Sequence, residues 1–203
     1  MKTIFAFCLF IFSSPFAMAV EDPQNILPKL DSFLAMNFSQ AFHAGDRFSF
    51  TSTDCVGAED KCDPMHVQYV VESADTQKAK VATYVGARTS PSKIADVTKA
   101  AWEQIQGNMA RNVIREIESY GFFVTVSNLQ ASSVTVNVNG KNASFPAWEL
   151  TISGKNRANM TVKQTLMLAN AFGGPGQIVK RINEDRPLGG RMVTILQGFD
   201  HRD

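Results

Sequence analysis

Few side chains in this sequence are of the types that carry out acid–base chemistry. The chain has three histidines, His43, His66 and His201. His66 follows Asp63 by three residues, and a carboxylate that orients an imidazole is a common arrangement for a general base. A hydrolytic site assembled from His66 and scattered carboxylates (Asp63, Glu72 or Glu149) is therefore one hypothesis. An exposed histidine beside an acidic loop is the commoner reason for such a pair, so we assign no catalytic residue.

Short motifs that mark catalytic or cofactor sites are missing from the sequence. There is no G-x-S-x-G nucleophile turn, no H-E-x-x-H metal motif, no phosphate-binding P-loop and no G-x-G-x-x-G dinucleotide motif. We therefore expect no cofactor and no metal site. An enzyme is less expected than a binding protein.

Two cysteines are expected to form a disulfide. Cys8 lies in a leader segment, which leaves Cys55 and Cys62 as an even pair. Closing so short a loop stabilises the fold by about 2.5 kcal/mol in the chain-entropy model. The alternative is a metal site that uses both thiolates with Asp63 and His66. The spacing of the thiols is unlike that of structural zinc sites, which favours the disulfide.

Two features could bind an anion. Arg111 and Arg115 lie one helical turn apart and are tentative ligand-binding residues, since paired guanidinium groups can bind a carboxylate or phosphate. The favoured alternative is a solvated helix face on which Glu118 is their partner. The glycine-rich segment 173–176 could bind an anion through its backbone N–H groups, although such clusters usually form turns.

The first nineteen residues have the pattern of a cleavable signal peptide. Lys2 precedes an apolar run, Ile4–Phe12, and the sequence Ala17-Met18-Ala19 fits the small-x-small cleavage rule. The run is too short to span a membrane, and Val20 at the new terminus is not the cysteine of a lipoprotein. We expect residues 20–203 to be one exported domain without a transmembrane segment, periplasmic in a Gram-negative source and secreted otherwise. Three N-x-S/T sequons would matter only in a glycosylating source, at Asn37, Asn142 and Asn159.

Two long helices are predicted from apolar residues at three- and four-residue steps. The first covers 22–44. The second covers about 91–120, where Ser90 caps it and Pro91 suits its first turn. Its apolar positions are Ile94, Val97, Ala101, Ile105, Met109, Val113 and Ile117. Gly107 is a weak point within it, and a shorter third helix is predicted over 177–184.

Strands are predicted where apolar and polar residues alternate. They lie at 47–53, 67–72, 81–85, 122–126, 134–138, 148–152, 160–168 and 192–196. In the seventh, Met160, Val162, Gln164, Leu166 and Leu168 share one face. The pair Asn139-Gly140 predicts a type I′ hairpin turn, since both of its residues tolerate positive φ. The four strands between 122 and 171 are expected to form an antiparallel meander.

These elements predict an α+β fold, in which a largely antiparallel sheet packs against the long central helix and the N-terminal helix. Basic and acidic residues number 20 and 19, so bulk charge gives no reason to expect binding to nucleic acid. The leading functional hypothesis is an exported, non-catalytic binding or accessory protein, whose partner is another envelope protein or a small amphipathic ligand. The alternatives are the His66 hydrolase and a structural or assembly component.

Overall fold

The computed structural model describes residues 23–56, 62–106, 108–184 and 190–201. The predicted signal peptide, its cleavage site and Cys8 lie outside these ranges. In the described part of the chain, no helix has the length and apolar character needed to cross a membrane.

Nine strands form one mixed sheet. They are β1 (Arg47–Val56), β2 (Cys62–Ala74), β3 (Lys78–Val85), β4 (Lys93–Thr98), β5 (Phe123–Val138), β6 (Lys141–Lys155), β7 (Thr161–Ala169), β8 (Ile178–Glu184) and β9 (Gly190–Asp200). Their order in the sheet is β4-β3-β2-β1-β9-β5-β6-β7-β8.

Strand β9 closes the sheet on itself. One edge of β9 pairs with β1 along its length. The other edge pairs antiparallel with β8 between Met192 and Ile195, then parallel with β5 at Gly198 and Phe199. Strands β9, β5, β6, β7 and β8 therefore form a ring, and β1 to β4 extend from it.

The expected long central helix is wrong. The helices are short: α1 (Pro23–Leu34), α2 (Phe38–Ala41), α3 (Lys99–Gln106) and α4 (Met109–Ser119). Residues 93–98 form strand β4, in which Ile94 and Val97 pair with the edge of β3. The β-branched side chains at these positions favour a strand once a partner edge is available. The fold is thus mainly a large mixed sheet with short helices.

The break between α3 and α4 lies where the sequence is weakest for a helix. Asn108 has φ −144° and ψ 18°, which is not helical. Gly107, the predicted weak point, lies outside the described residues.

The N-terminal helix is also divided, because α1 ends at Leu34 and α2 begins at Phe38. Buried amide side chains bind the intervening backbone. Gln106 Oε1 accepts a hydrogen bond from the Met36 N–H at 3.0 Å, and Gln177 Nε2 donates to the Leu34 carbonyl at 2.8 Å. Tertiary hydrogen bonds therefore replace those that a continuous helix would make.

Two further predictions are wrong in the second half of the chain. The runs at 122–126 and 134–138 belong to the single strand β5, which bulges between Val126 and Asn128. The expected meander consequently has three strands. The predicted helix at 177–184 is a short 3₁₀ turn followed by β8, because the edge of β7 supplies its backbone with partners.

The predicted hairpin turn at Asn139-Gly140 is confirmed. Asn139 and Gly140 have φ of 49° and 82° and join β5 to β6. The connection between β2 and β3 contains Asp75, whose carboxylate accepts the N–H groups of Gln77 and Lys78. These hydrogen bonds hold the pKa of Asp75 below its ordinary value.

The predicted disulfide is present. Cys55 and Cys62 are bonded, and they face each other in the register of β1 and β2. The bond joins the end of β1 to the beginning of β2. A cross-strand disulfide of this kind is typical of proteins from oxidising compartments.

The apolar core has two clusters under the helices. One lies between α2, α3 and the sheet, with residues from β1 to β3 and from β5 to β9, and contains Phe38, Phe42, Phe48, Phe50 and Trp102. The other lies between α1, α4 and the strands β6 and β7, and contains Leu30, Leu34, Val113, Ile117, Leu150, Ile152, Leu166 and Leu168.

Ile117→Ala should lower the free energy of unfolding by about 2–5 kcal/mol, because it removes a buried side chain from this second cluster. Ile105, on the same predicted stripe, is 42% exposed in α3. Ile105→Ala is the matched control and should change the free energy of unfolding by about 0.5 kcal/mol or less. Urea denaturation of both variants measures the difference, and equal losses would contradict the division of the helix.

Candidate functional site

A groove of about 440 Å³ opens between the end of α4 and the strands β7 and β8. We call it the α4 groove. Its lining residues are Glu116, Ile117, Tyr120, Phe122, Asn156, Met160, Val162, Gln164, Arg181 and Asn183. Most of the lining surface is apolar, and the volume lies in the range of small-molecule sites.

The alternation of β7 places an amide on the apolar side of the sheet. Side chains two residues apart in a strand share a face, so Gln164 lies in line with Val162 and Leu166. Leu166 is fully buried, whereas Gln164 lies where the layer between α4 and the sheet opens into the groove. Gln164 is therefore a polar group set into an apolar wall.

The carbonyl oxygen of this amide lacks a partner. Gln164 is only 6% exposed, and its Oε1 atom is buried without a hydrogen bond among the described residues. An unsatisfied buried acceptor costs about 1–3 kcal/mol. A molecule in the groove with an O–H or N–H group could remove this cost.

The part of the groove beside Gln164 is polar and held in place. Asn183 is the cross-strand neighbour of Gln164 in the register of β7 and β8. Arg181 donates through one terminal nitrogen to both carboxylate oxygens of Glu116, each at 3.2 Å. This ion pair connects β8 to α4 across one side of the groove.

Large apolar side chains surround the mouth of the groove. Tyr120 and Met160, which line the groove, are 72% and 41% exposed. A second cleft of about 530 Å³ adjoins the groove and shares Tyr120, Phe122 and Asn156 with it. Exposed apolar surface that is contiguous with a cavity is typical of a binding region.

Comparison with known proteins finds similarity at the level of solved structures. A solved structure of a LolA superfamily protein from Nitrosomonas europaea aligns over 89% of this chain and 93% of its own, with 10% sequence identity and a TM-score of 0.34. No family model and no curated protein matches the chain. At this identity and TM-score, the similarity assigns no ligand, partner or activity to the chain.

The tentative ligand-binding arginines lie away from the α4 groove. Arg111 and Arg115 line a separate cleft of about 380 Å³ with Leu27, Ile114 and Glu118. Asp31 of α1 is near Arg111. Burial raises the pKa of Asp31 above its ordinary value, and the charge of Arg111 acts in the opposite direction. Anion binding by the two arginines stays a prediction.

The residues of the hydrolase hypothesis are spread along the sheet. His66 is exposed on β2, where its Nδ1 lies 3.3 Å from the Thr51 hydroxyl. Glu72 is six residues further along the same strand, about 20 Å at the usual rise, and forms an ion pair with Lys80. Glu149 lies on β6 and accepts a hydrogen bond from Gln130. The described structure does not bring Glu72 or Glu149 to His66.

The glycine-rich segment serves close packing. The 3₁₀ turn at Gly174–Gln177 leads into a strand, so no helix N-terminus is available for an anion. Gly173 lies directly against the backbone of Ala41. The absence of a side chain at this position allows α2 to approach the sheet.

Sequence reasoning missed two groups of residues. Gln164 was visible as the one polar side chain on the apolar face of its predicted strand. In contrast, no local pattern connects His43 and Asp46 with His201, which lies 155 residues after Asp46. Only the folded chain brings those three side chains together.

Proposed function

We propose that the protein is an exported, non-catalytic binding protein that holds a small amphipathic molecule in the α4 groove. The observation that carries this proposal is the buried, unpartnered Oε1 of Gln164 in an otherwise apolar wall. It supports a ligand with an apolar body and a hydrogen-bond donor. Export is supported by the predicted signal peptide and by the disulfide.

The apolar part and the polar part of such a ligand would contact different residues of the groove. Ile117, Phe122 and Val162 offer apolar contacts to a hydrocarbon chain, and burial of apolar surface supplies about 25 cal/mol per Å². The donor group meets Gln164 Oε1. The far end of the hydrocarbon chain can extend out of the groove past Tyr120 and Met160. The groove therefore restricts the length of the ligand less than it restricts the polar group that contacts Gln164.

Decanol and its methyl ether distinguish binding that uses a hydrogen bond to Gln164 from binding by apolar contacts alone. Their chains match, but only the alcohol donates a hydrogen bond. We expect isothermal titration to show decanol binding about 3–10-fold more tightly, as one hydrogen bond of about 1 kcal/mol requires. Gln164→Leu should abolish the difference, with the ether still bound, because the leucine is of similar size and lacks the acceptor.

The double variant Arg111→Ala/Arg115→Ala is the matched control, since both residues lie in the other cleft. It should bind decanol as the wild type does. Loss of decanol binding in this variant would move the site to the cleft between α1 and α4. Equal binding of alcohol and ether by the wild-type protein, or no binding of either, would contradict the proposal.

A further inference from the structure

Two of the three histidines converge on one buried carboxylate, and none of these three residues lines the α4 groove. Asp46 precedes β1, and its side chain is only 3% exposed. His201 Nδ1 lies 2.7 Å from Asp46 Oδ1, and His43 Nδ1 lies 3.5 Å from Asp46 Oδ2. One potential ligand atom from each residue lies within 4.8 Å of the other two.

We infer that His43, Asp46 and His201 form a binding site for a divalent transition-metal ion of the zinc type. Zinc is bound by imidazole nitrogen and carboxylate oxygen, and sites with three protein ligands leave a fourth position open. Bonds of about 2.0–2.1 Å place tetrahedral ligand atoms about 3.3 Å apart. The three ligand atoms, which lie within 4.8 Å of one another, would have to adjust to that spacing when an ion binds.

The burial of Asp46 supports a cation at this point. A carboxylate removed from water needs a positive partner. Among the described residues, the groups within ion-pair distance of Asp46 are the two imidazoles, which are also ligands for zinc. Both rings are partly exposed, His43 by 48% and His201 by 35%, so an ion and a water molecule can reach them.

The backbone around the cluster is fixed before any ion binds. The Asp46 carbonyl accepts the Val71 N–H at 2.9 Å. The His201 N–H donates to Asn139 Oδ1, also at 2.9 Å. The ligands thus come from the connection between α2 and β1 and from the end of β9, and the β5–β6 turn holds the latter. A bound ion would join the end of β9 to the beginning of β1.

Our expectation of no metal was based on the absence of a short motif. Zinc sites with ligands close in sequence can be recognised by spacing. Here His201 lies 155 residues after Asp46, so no spacing rule connects it with the other two ligands. The inference does not depend on the α4 groove or on its ligand.

Titration of the untagged, metal-free protein with Zn²⁺ against a chromogenic chelator tests the site. We expect one ion per chain in the presence of excess Mg²⁺, together with a rise in melting temperature, because an ion that binds only the folded state stabilises it. Cobalt(II) in place of Zn²⁺ should give the intense visible absorption of a tetrahedral site.

His43→Ala and His201→Ala should each weaken Zn²⁺ binding about 100-fold or more, since loss of even an outer-sphere partner costs 10–100-fold. His66→Ala is the matched control, because it removes the remaining histidine and should leave Zn²⁺ binding unchanged. Circular dichroism of the metal-free variants reports their folding. If His201→Ala does not fold, the result for His43→Ala decides, because His43 is half-exposed and its replacement should leave the fold intact. Absence of tight Zn²⁺ binding to the wild type, or its loss only in His66→Ala, would overturn the inference.

Discussion

Gly173→Ala should destabilise the protein by about 3 kcal/mol or more, at the upper end of what overpacking costs. A Cβ atom at this position would overlap the carbonyl oxygen and Cα of Ala41. Both are backbone atoms, so no side-chain rotation can make room. The segment after β7 or helix α2 must shift. Phe38 in α2 and Phe42 directly after it both belong to the core. Urea denaturation of the variant measures the loss.

The matched control for this change is Gly198→Ala in β9. The nearest atom to its new Cβ would be the Asn137 carbonyl oxygen at 3.7 Å, an ordinary contact. We expect a change of about 0.5 kcal/mol or less. Similar stabilities of the two variants would show that α2 does not pack on Gly173 as described.

Gln177→Leu is expected to cost about 3 kcal/mol, since two buried polar groups lose a partner and each loss costs about 1–3 kcal/mol. Gln177 is fully buried. Its Nε2 donates to the Leu34 carbonyl at 2.8 Å, and its Oε1 accepts from Gln106 Nε2 at 2.7 Å. Leucine has a similar volume, so the loss reports the hydrogen bonds and not a cavity. Thermal and urea unfolding provide the measurement.

Gln130→Leu controls for the general effect of replacing an amide by leucine. Gln130 is exposed on β5 and donates to Glu149 at 3.3 Å. Its replacement should change stability by about 0.5 kcal/mol or less. If Gln177→Leu were equally mild, the buried amides would not be what separates α1 from α2.

The amide network explains why one predicted element became two. Apolar residues at helical spacing continue from α1 into α2, so the periodicity at 22–44 contains no sign of a break. The break is stabilised by Gln106 and Gln177, which lie 70 and 143 residues from the backbone groups that they bind. A sequence pattern reports which face of a helix is apolar. It does not report which distant groups will bind the backbone of that helix.

The same reasoning applies to the strand β4 and the strand β8. Ile94 and Val97 are three residues apart, a spacing that suits a helix, but the same residues pair with β3 at its edge. Ile178 and Ile182 likewise suit one helical turn and instead belong to the strand beside β7. Short apolar runs are ambiguous between helix and strand. The free edge of a neighbouring strand decided both cases.

The sequence by itself determined the features that depend on neighbouring residues. Alternation located most of the strands, the positive φ tolerated by Asn139 and Gly140 located the hairpin turn, and the spacing of Cys55 and Cys62 predicted their bond. Only the tertiary structure decided how β9 closes the sheet and that Gln164 lines an open groove. It also decided that His43, Asp46 and His201 lie together. Local backbone preferences act over a few residues, whereas these sites are made by groups that become neighbours only after the sheet has formed.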